Sequence, residues 1–531
     1  MARSFACALF LAFGHDASAA PTILRDNYRA MDTTPSEAHI GNSLLPTFDR
    51  CRVLDDPSGI SEENPVPVVT MHPVDGTNRE DAHHLDKRQW RREYIHQYQM
   101  NFWHQWPEYI EPGQAVNHQV WTYRGFGNIG DTAGEVTYHM EGTSERMAFE
   151  VRYKARGHWG GSLHVQFKDN LEADTTGKRG RLDIGFNQMP GGSSFFLAGK
   201  EGNLTSTANW NNDDADKASW MQSLLPELGR FPLREIILPR SHHAALEDDN
   251  FSAKNFGSVK ANTVTQVQPI SRQLRREGAR VLDTRVMKYD GKFYEAHGTY
   301  RHLQWYGGLG ERLETVIDEI NAFNAKHPGE LIIWDFSHET WSKDRRFGKL
   351  SRDERNELYK LLLNKLKNRA VLPEDKDITL LPIDGFIGNR TSSVILRFHE
   401  DWRRATPDTF PGPKEGFISR KHFPEMAGDQ LRKLGKYRRS REALLFDLQW
   451  VRSMTGLTSL TIPNNLGLVD MGRASTAMLR ERLWNRMTDK TYPNWITVDA
   501  LEGSEMRELV KVMNRCFVLK QCGDWVENPR G

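Results

Sequence analysis

From Arg234 to the C-terminus, short β-like apolar runs alternate with stretches of helical period for about 300 residues. Strands are predicted at Glu235–Leu238, Ala279–Met287, Leu331–Phe336, Ser393–Phe398, Leu444–Leu448 and Trp495–Val498. Helices are predicted at Ile270–Glu277, Leu309–Phe323, 353–368, 474–487 and 503–514. In the second of these, Leu309, Leu313, Val316, Ile317, Ile320 and Phe323 form one stripe, which a 3.6-residue period requires. His327-Pro328-Gly329 stops that helix just before Leu331. Strand–helix alternation of this length implies an α/β fold with a parallel sheet, and a (β/α) TIM-type barrel over 229–531 matches the size.

The first 228 residues have a different texture. Ala115–Tyr123, Gly134–Met140, Met147–Tyr153, Ser162–Phe167 and Leu182–Phe186 are short alternating runs broken by glycines. They predict a β-rich, sandwich-like accessory domain over 86–202. Residues 203–228 are rich in Asn, Asp and Ser and predict a linker ending in the helical Met221–Leu228. Residues 21–85 lack periodicity and carry Pro-Val-Pro-Val, which predicts a loosely structured lead-in. Residues 1–20 combine Arg3, the apolar run Phe5–Phe13 and Ala17-Ser18-Ala19, the pattern of a secretory signal peptide. Export to an oxidising compartment would leave Cys51, Cys516 and Cys522, and the last two are spaced to close a small disulfide loop.

Lys and Arg total 71 against 70 Asp and Glu, a formal charge of +1. That balance gives no support for a nucleic-acid partner, which calls for a basic excess. No run approaches 18 uncharged apolar residues, so no transmembrane helix is predicted.

Chemistry gathers where three apolar runs of the C-terminal half end. The runs are followed or closed by Arg240-Ser241-His242-His243, by Asp283-Thr284-Arg285, and by Glu295-Ala296-His297-Gly298. Residues two apart on a strand share a face, so Asp283 with Arg285, and Glu295 with His297, are expected to project together. Polar residues at the C-terminal strand ends build the active site of an α/β barrel. Two imidazoles and a guanidinium are what acid–base cleavage of a phosphodiester needs. One imidazole takes a proton from the attacking hydroxyl and the other protonates the leaving oxygen, while the guanidinium fork meets the charge on the phosphoryl oxygens.

Five segments in order carry a resemblance. They are Pro239-Arg240-Ser241-His242, Ile270-Ser271-Arg272-Gln273-Leu274 with Gly278, Arg280-Val281-Leu282-Asp283-Thr284-Arg285, Gly291-Lys292-Phe293-Tyr294 with His297-Gly298, and His327-Pro328 with Glu330 before Leu331-Ile332-Ile333. Together they resemble the X-domain of the phosphatidylinositol-specific phospholipase C superfamily. The resemblance implies that His242 is the general base acting on an inositol 2-hydroxyl and His297 the general acid for the lipid alkoxide. It implies that Arg285 stands where metal-dependent members hold calcium, so that Asp283-Thr284-Arg285 is similar to the metal-independent type and no cofactor is expected. Asp499 corresponds to a carboxylate that orients the first histidine. The implied partners are a phospholipid substrate and a membrane surface, met peripherally by an extracellular protein.

One position departs from the family pattern. His243 follows the first catalytic histidine where the family usually has Asp or Asn, and in the metal-independent type that carboxylate supports the second histidine. Glu295, Asp335 or His338 is the candidate replacement. His243, Glu295 and Trp305 are expected at the substrate side, with Trp305 and Tyr306 as an aromatic rim toward lipid or as local packing. Trp103, Trp106 and Trp159 pose the same choice in the accessory domain. The alternatives left open are a non-catalytic lipid- or glycan-binding protein with a degenerate barrel, and a related lyase on sphingomyelin-like lipids. A histidine zinc site lacks the cysteines or close His spacing that would support it.

Overall fold

The computed structural model describes residues between 66 and 520, apart from 78–89, 111–117, 123–131, 184–194, 207–217, 249–259, 399–413, 416–422, 453–466 and shorter gaps. The signal-like segment, most of the lead-in, Trp103, Trp159, His338 and Cys522 lie outside the described residues. Cys516, on the described side, is disulfide-bonded.

The N-terminal half is built on a six-stranded antiparallel sheet. Its order is Arg181–Asp183, Gly160–Asp169, Met147–Arg156, Ala133–Met140, Trp90–Tyr98 and Tyr109–Ile110. Alternation explains its core: Val136, Tyr138 and Met140 share one face with Phe149, Val151 and Tyr153 and with Leu163, Val165 and Phe167. Trp106 belongs to this core and is 1% exposed, so it is not a surface aromatic.

In the C-terminal half, β1 (Leu238–Ser241), β2 (Val281–Asp283), β6 (Leu331–Phe336), β7 (Ser393–Phe398), β8 (Lys414–Glu415), β9 (Phe446–Trp450) and β10 (Trp495–Val498) form one parallel sheet. Its order is β7-β6-β2-β1-β10-β9-β8. Strands consecutive within the sheet pair with each other, except β7 and β8, which stand at its two edges, and the last strand pairs with the first. Helices over Ile270–Arg275, Leu313–Lys326, Arg352–Lys365, Phe423–Tyr437, Leu468–Trp484 and Met506–Met513 alternate with these strands. Near-continuous apolar strands such as Leu331-Ile332-Ile333-Trp334 are buried along their whole length, as in a parallel sheet covered on both faces. No helix among the described residues is long and apolar enough to cross a membrane.

Arg240 shows that this sheet curls. Its guanidinium bonds Asp283 of β2 at 2.9 Å, Asp335 of β6 at 2.8 Å and Asp447 of β9 at 2.8 Å. In a flat sheet β6 and β9, four spacings apart, would be separated by about 19 Å. One guanidinium reaches both only if the strands bend around it. Arg397 of the edge strand β7 bonds Asp335 from the other side at 2.8 Å.

A second, mixed sheet contains the antiparallel strands β3 (Val286–Tyr289), β4 (Lys292–Arg301) and β5 (Gln304–Arg312). The turn between β3 and β4 is Asp290-Gly291 with φ of 48° and 67°, the two left-handed residues of a tight hairpin. Two expectations are corrected here. His297 lies on β4 of this second sheet rather than on a strand of the parallel one. Leu309, expected in a helix, lies on β5, and the helix starts at Leu313; the apolar stripe continued backwards into a strand whose own core lies with Met287, Ala296, Trp305 and Trp341.

Removing one partner of a fully buried ion network costs far more than removing a surface pair. Arg240→Leu is therefore expected to lower unfolding stability by about 3–5 kcal/mol in urea titrations. Arg146→Leu, which breaks half-exposed pairs to Glu93 and Asp169, should cost under about 1 kcal/mol. Equal midpoints for the two variants would contradict the role given to Arg240.

Candidate active site

The turn after β1 carries His242 and His243, and its shape is set by side chains of the following loop and helix. The carbonyl of His242 accepts from Gln266 Nε2 at 2.8 Å and from Thr265 Oγ1 at 3.2 Å. Ser241 donates to Gln273 Oε1 at 2.5 Å, and Gln273 Nε2 donates to Ala244 O at 2.8 Å. His243 is held with φ of 44°, an uncommon conformation for a residue with a side chain. Its N–H donates to Asp283 Oδ2 at 3.2 Å. The network under Arg240 thus fixes the backbone that aims two imidazoles.

Three imidazoles meet above that turn. Ring centroids of His242 and His297 are 6.3 Å apart, those of His242 and His243 4.5 Å, and those of His243 and His297 4.2 Å. Each ring has its Nδ1 engaged. His242 Nδ1 is 2.7 Å from Asp499 Oδ1, His243 Nδ1 is 3.0 Å from Glu295 Oε1, and His297 Nδ1 is 2.8 Å from Thr263 O. A carbonyl oxygen can only accept, so His297 carries its Nδ1 proton there and titrates at Nε2. Gly472 lets the helix Leu468–Trp484 close on Asp499, since a Cβ there would lie 2.7 Å from Asp499 Cβ.

Burial dominates the electrostatics. It pushes His297 down to about 3, against the pull of the Thr263 carbonyl, and the charge of Arg285 acts in the same direction as burial. His243, fully enclosed, is held well below the ordinary histidine range by burial and by Arg285. Burial raises Glu295 well above the ordinary carboxyl range and raises Asp499, which His242 partly offsets.

The sequence-predicted residues are gathered here, with changes in detail. β2 ends at Asp283, so Asp283 and Arg285 do not share a strand face. Asp283, expected among the catalytic groups, is fully buried with its oxygens on Arg240 and the His243 N–H. Arg285 is half-buried, its N–H donates to Glu295 Oε1 at 3.1 Å, and among the described residues its guanidinium makes no ion pair. His243 and Glu295, expected on the substrate side, are buried and bonded to each other, because the left-handed turn points the ring inward. Glu295 therefore does not bond His297, and Asp335 is taken by Arg240 and Arg397. Trp305 is 1% exposed and stacks on Phe347 at 5.8 Å, so it is packing and not a rim toward lipid. Gly298 makes room for it: a Cβ there would lie 2.6 Å from the indole. Glu330 of the His327-Pro328 segment binds Arg280 and the N–H groups of Met221 and Gln222, a structural task. Thr263, Thr265 and Gln266 carry no signal in sequence, since a backbone acceptor and two loop side chains leave no pattern there.

His242, His243 and Asp283 offer ligand atoms within 4.8 Å of one another, a donor set for a divalent ion. Arg240 on Asp283 and the nearby charge of Arg285 weigh against a cation there.

A comparison with known proteins bears on this arrangement. The chain is 29% identical over 142 residues to human PI-PLC X domain-containing protein 2, a match covering 23% of this chain and 43% of that protein. The likeness is to the phosphatidylinositol-specific phospholipase C-like superfamily. It spans less than half the length of the curated relative it matches. No family model matches it. Solved structures similar to this chain include a variant of phosphatidylinositol-specific phospholipase C from Staphylococcus aureus, at 14% identity and a TM-score of 0.42, covering 56% of this chain and 98% of that one. Another structure of the same enzyme, described for modulation of its membrane binding, has 14% identity and a TM-score of 0.41.

His297 supplies a test of the electrostatics. Its folded-state pKa of about 3 lies below the unfolded value near 6.5, so between these the unfolded chain binds the additional proton. The corresponding stability is complete above about pH 6.5 and is lost as pH falls toward 3, by at most about 1.4 kcal/mol per pH unit. Urea titrations across this window should show a shallower pH dependence for His297→Gln than for the unaltered protein. Identical slopes would show that His297 is not held neutral.

Proposed function

We propose that the chain is an exported, metal-independent phosphodiesterase that cleaves an inositol phospholipid, or a glycosylated anchor of one, at a membrane surface. The observation that carries this reading is the pairing of His242 on Asp499 with His297 on the Thr263 carbonyl, 6.3 Å apart, beside an arginine fork with no ion pair among the described residues. In this reading the seven-stranded sheet is a TIM-type barrel, whose remaining seam joins β7 to β8, consecutive in sequence. The antiparallel sheet at residues 90–183 is an accessory domain.

The chemistry runs as an internal displacement. His242 Nε2 takes the proton of the inositol 2-hydroxyl, and that oxygen forms a bond to phosphorus. The bond from phosphorus to the glycerol oxygen breaks, and His297, which takes up a proton at Nε2 as the anionic substrate enters, gives that proton to the oxygen. A cyclic inositol phosphate and a lipid alcohol result. Asp499 keeps the Nδ1 proton of His242 in place and stabilises the imidazolium that forms. Arg285 lies against the phosphoryl oxygens, where a planar pair of donors meets developing charge.

His242→Ala and His297→Ala should each lower turnover of phosphatidylinositol vesicles by 10²–10⁴-fold or more while circular dichroism stays unchanged. Near-normal turnover by either variant would overturn the assignment.

Activity should persist in EDTA, and Arg285→Lys should fall by at least about 100-fold, because an ammonium cannot reproduce the two-pronged contact. Loss of all activity on chelation would point to the His242, His243 and Asp283 donor set instead. Sphingomyelin and phosphatidylcholine vesicles in parallel separate the related lyase. Vesicle binding without turnover of any lipid would select the binding-protein alternative.

A further inference from the structure

We propose that His243 and Glu295 are positioning residues that act together on His297, presenting it with a charge-neutral, hydrogen-bonded pair. The inference deepens the phosphodiesterase reading and rests on it for the role of His297. Its warrant is geometric. The ring centroids of His243 and His297 are 4.2 Å apart with a 38° tilt, so the two rings are in contact. On its far side His243 Nδ1 meets Glu295 Oε1 at 3.0 Å, and both residues are fully buried. Glu295 Oε1 also accepts the Arg285 N–H at 3.1 Å. One carboxyl group therefore links the ring that backs His297 to the backbone of the arginine beside it.

Charge counting gives the pair its purpose. The groups facing His297 are His243 and His242 from the turn after β1, Asp283 and Arg285 at the end of β2, and the Thr263 carbonyl, with Glu295 of its own strand bonded to His243. A protonated, unpaired His243 would repel the imidazolium that His297 must become. A neutral imidazole offers it a polarisable face instead. Whether the shared proton sits on Glu295 or on His243, the pair carries no net charge, and burial favours the uncharged arrangement. The left-handed turn at His243, fastened by its N–H to Asp283, holds the ring at this contact.

It follows that His297 receives orientation from this pair and no added basicity. It is protonated in acid or when the substrate's phosphate enters, so an acidic optimum is expected. His243→Asp would place a carboxylate against the ring and raise its pKa.

The test is an NMR titration of ¹³C-labelled histidines in the full chain, with the His297 signal assigned by its loss in His297→Gln, alongside pH–rate profiles on phosphatidylinositol vesicles. His243→Asp and the double variant His243→Asp/Glu295→Gln should each raise the His297 midpoint by at least one pH unit and move the alkaline limb of the profile upward. Glu295→Gln, which keeps a neutral acceptor for His243, should leave the midpoint within about 0.3 of a pH unit. Glu295→Ala should lower kcat by at least about tenfold with KM within about twofold, and Glu295→Gln should restore most of it. An unchanged His297 midpoint in both His243→Asp variants overturns the inference, as does a Glu295→Gln protein as impaired as Glu295→Ala. Because the NMR midpoint needs no turnover, shifted midpoints in a protein that cleaves no lipid would sustain the pair and refute only the phosphodiesterase reading.

Discussion

One buried guanidinium, that of Arg240, sits where four strands of the parallel sheet converge. It bonds carboxylates on β2, β6 and β9 and reaches Thr497 of β10 at 3.2 Å. A charge taken fully out of water is tolerated only when its partners surround it. Three aspartates from strands that a flat sheet would spread far apart must therefore turn toward one point. Arg397 offsets part of the surplus negative charge through Asp335. The curvature of the sheet and the satisfaction of these groups are one condition.

The site stands on that condition in two steps. Asp283 spends one oxygen on Arg240 and the other on the His243 N–H, so the sheet's electrostatic centre also fastens the strained turn. The turn in turn sets the angles among three imidazoles, and a hairpin from a separate sheet brings the third. Gln266, Thr265 and Gln273 hold the carbonyls that the turn leaves without ladder partners. Burial keeps His243 and His297 neutral at rest, which costs stability in acid.

Much of this was legible in the residues. Period and punctuation placed Leu331–Phe336, Ser393–Phe398 and Trp495–Val498 at their observed bounds, since continuous apolar runs flanked by Pro, Gly or polar pairs leave little freedom. The ordered segments around His242, Asp283 and His297 meet at one place in the fold. What sequence could not carry was which way they face. A spacing of two put Asp283 and Arg285 on one side only while the strand continued, and it stops at Asp283. The stripe through Leu309 had helical period, yet pairing with β4 claims that residue for a strand. Trp305 has the same sequence context whether it meets lipid or Phe347, and only packing decides. The partner of His297 is a backbone carbonyl, which every residue has.

The central claim is that two histidines drive an internal attack on phosphorus, with no water in the first step. The most direct check is to run the reaction in H₂¹⁸O and follow the first inositol product by ³¹P NMR and mass spectrometry. A cyclic phosphodiester that forms first and contains no ¹⁸O is the expected product. An acyclic phosphate carrying ¹⁸O from the earliest time point would contradict it, because the nucleophile would then be water.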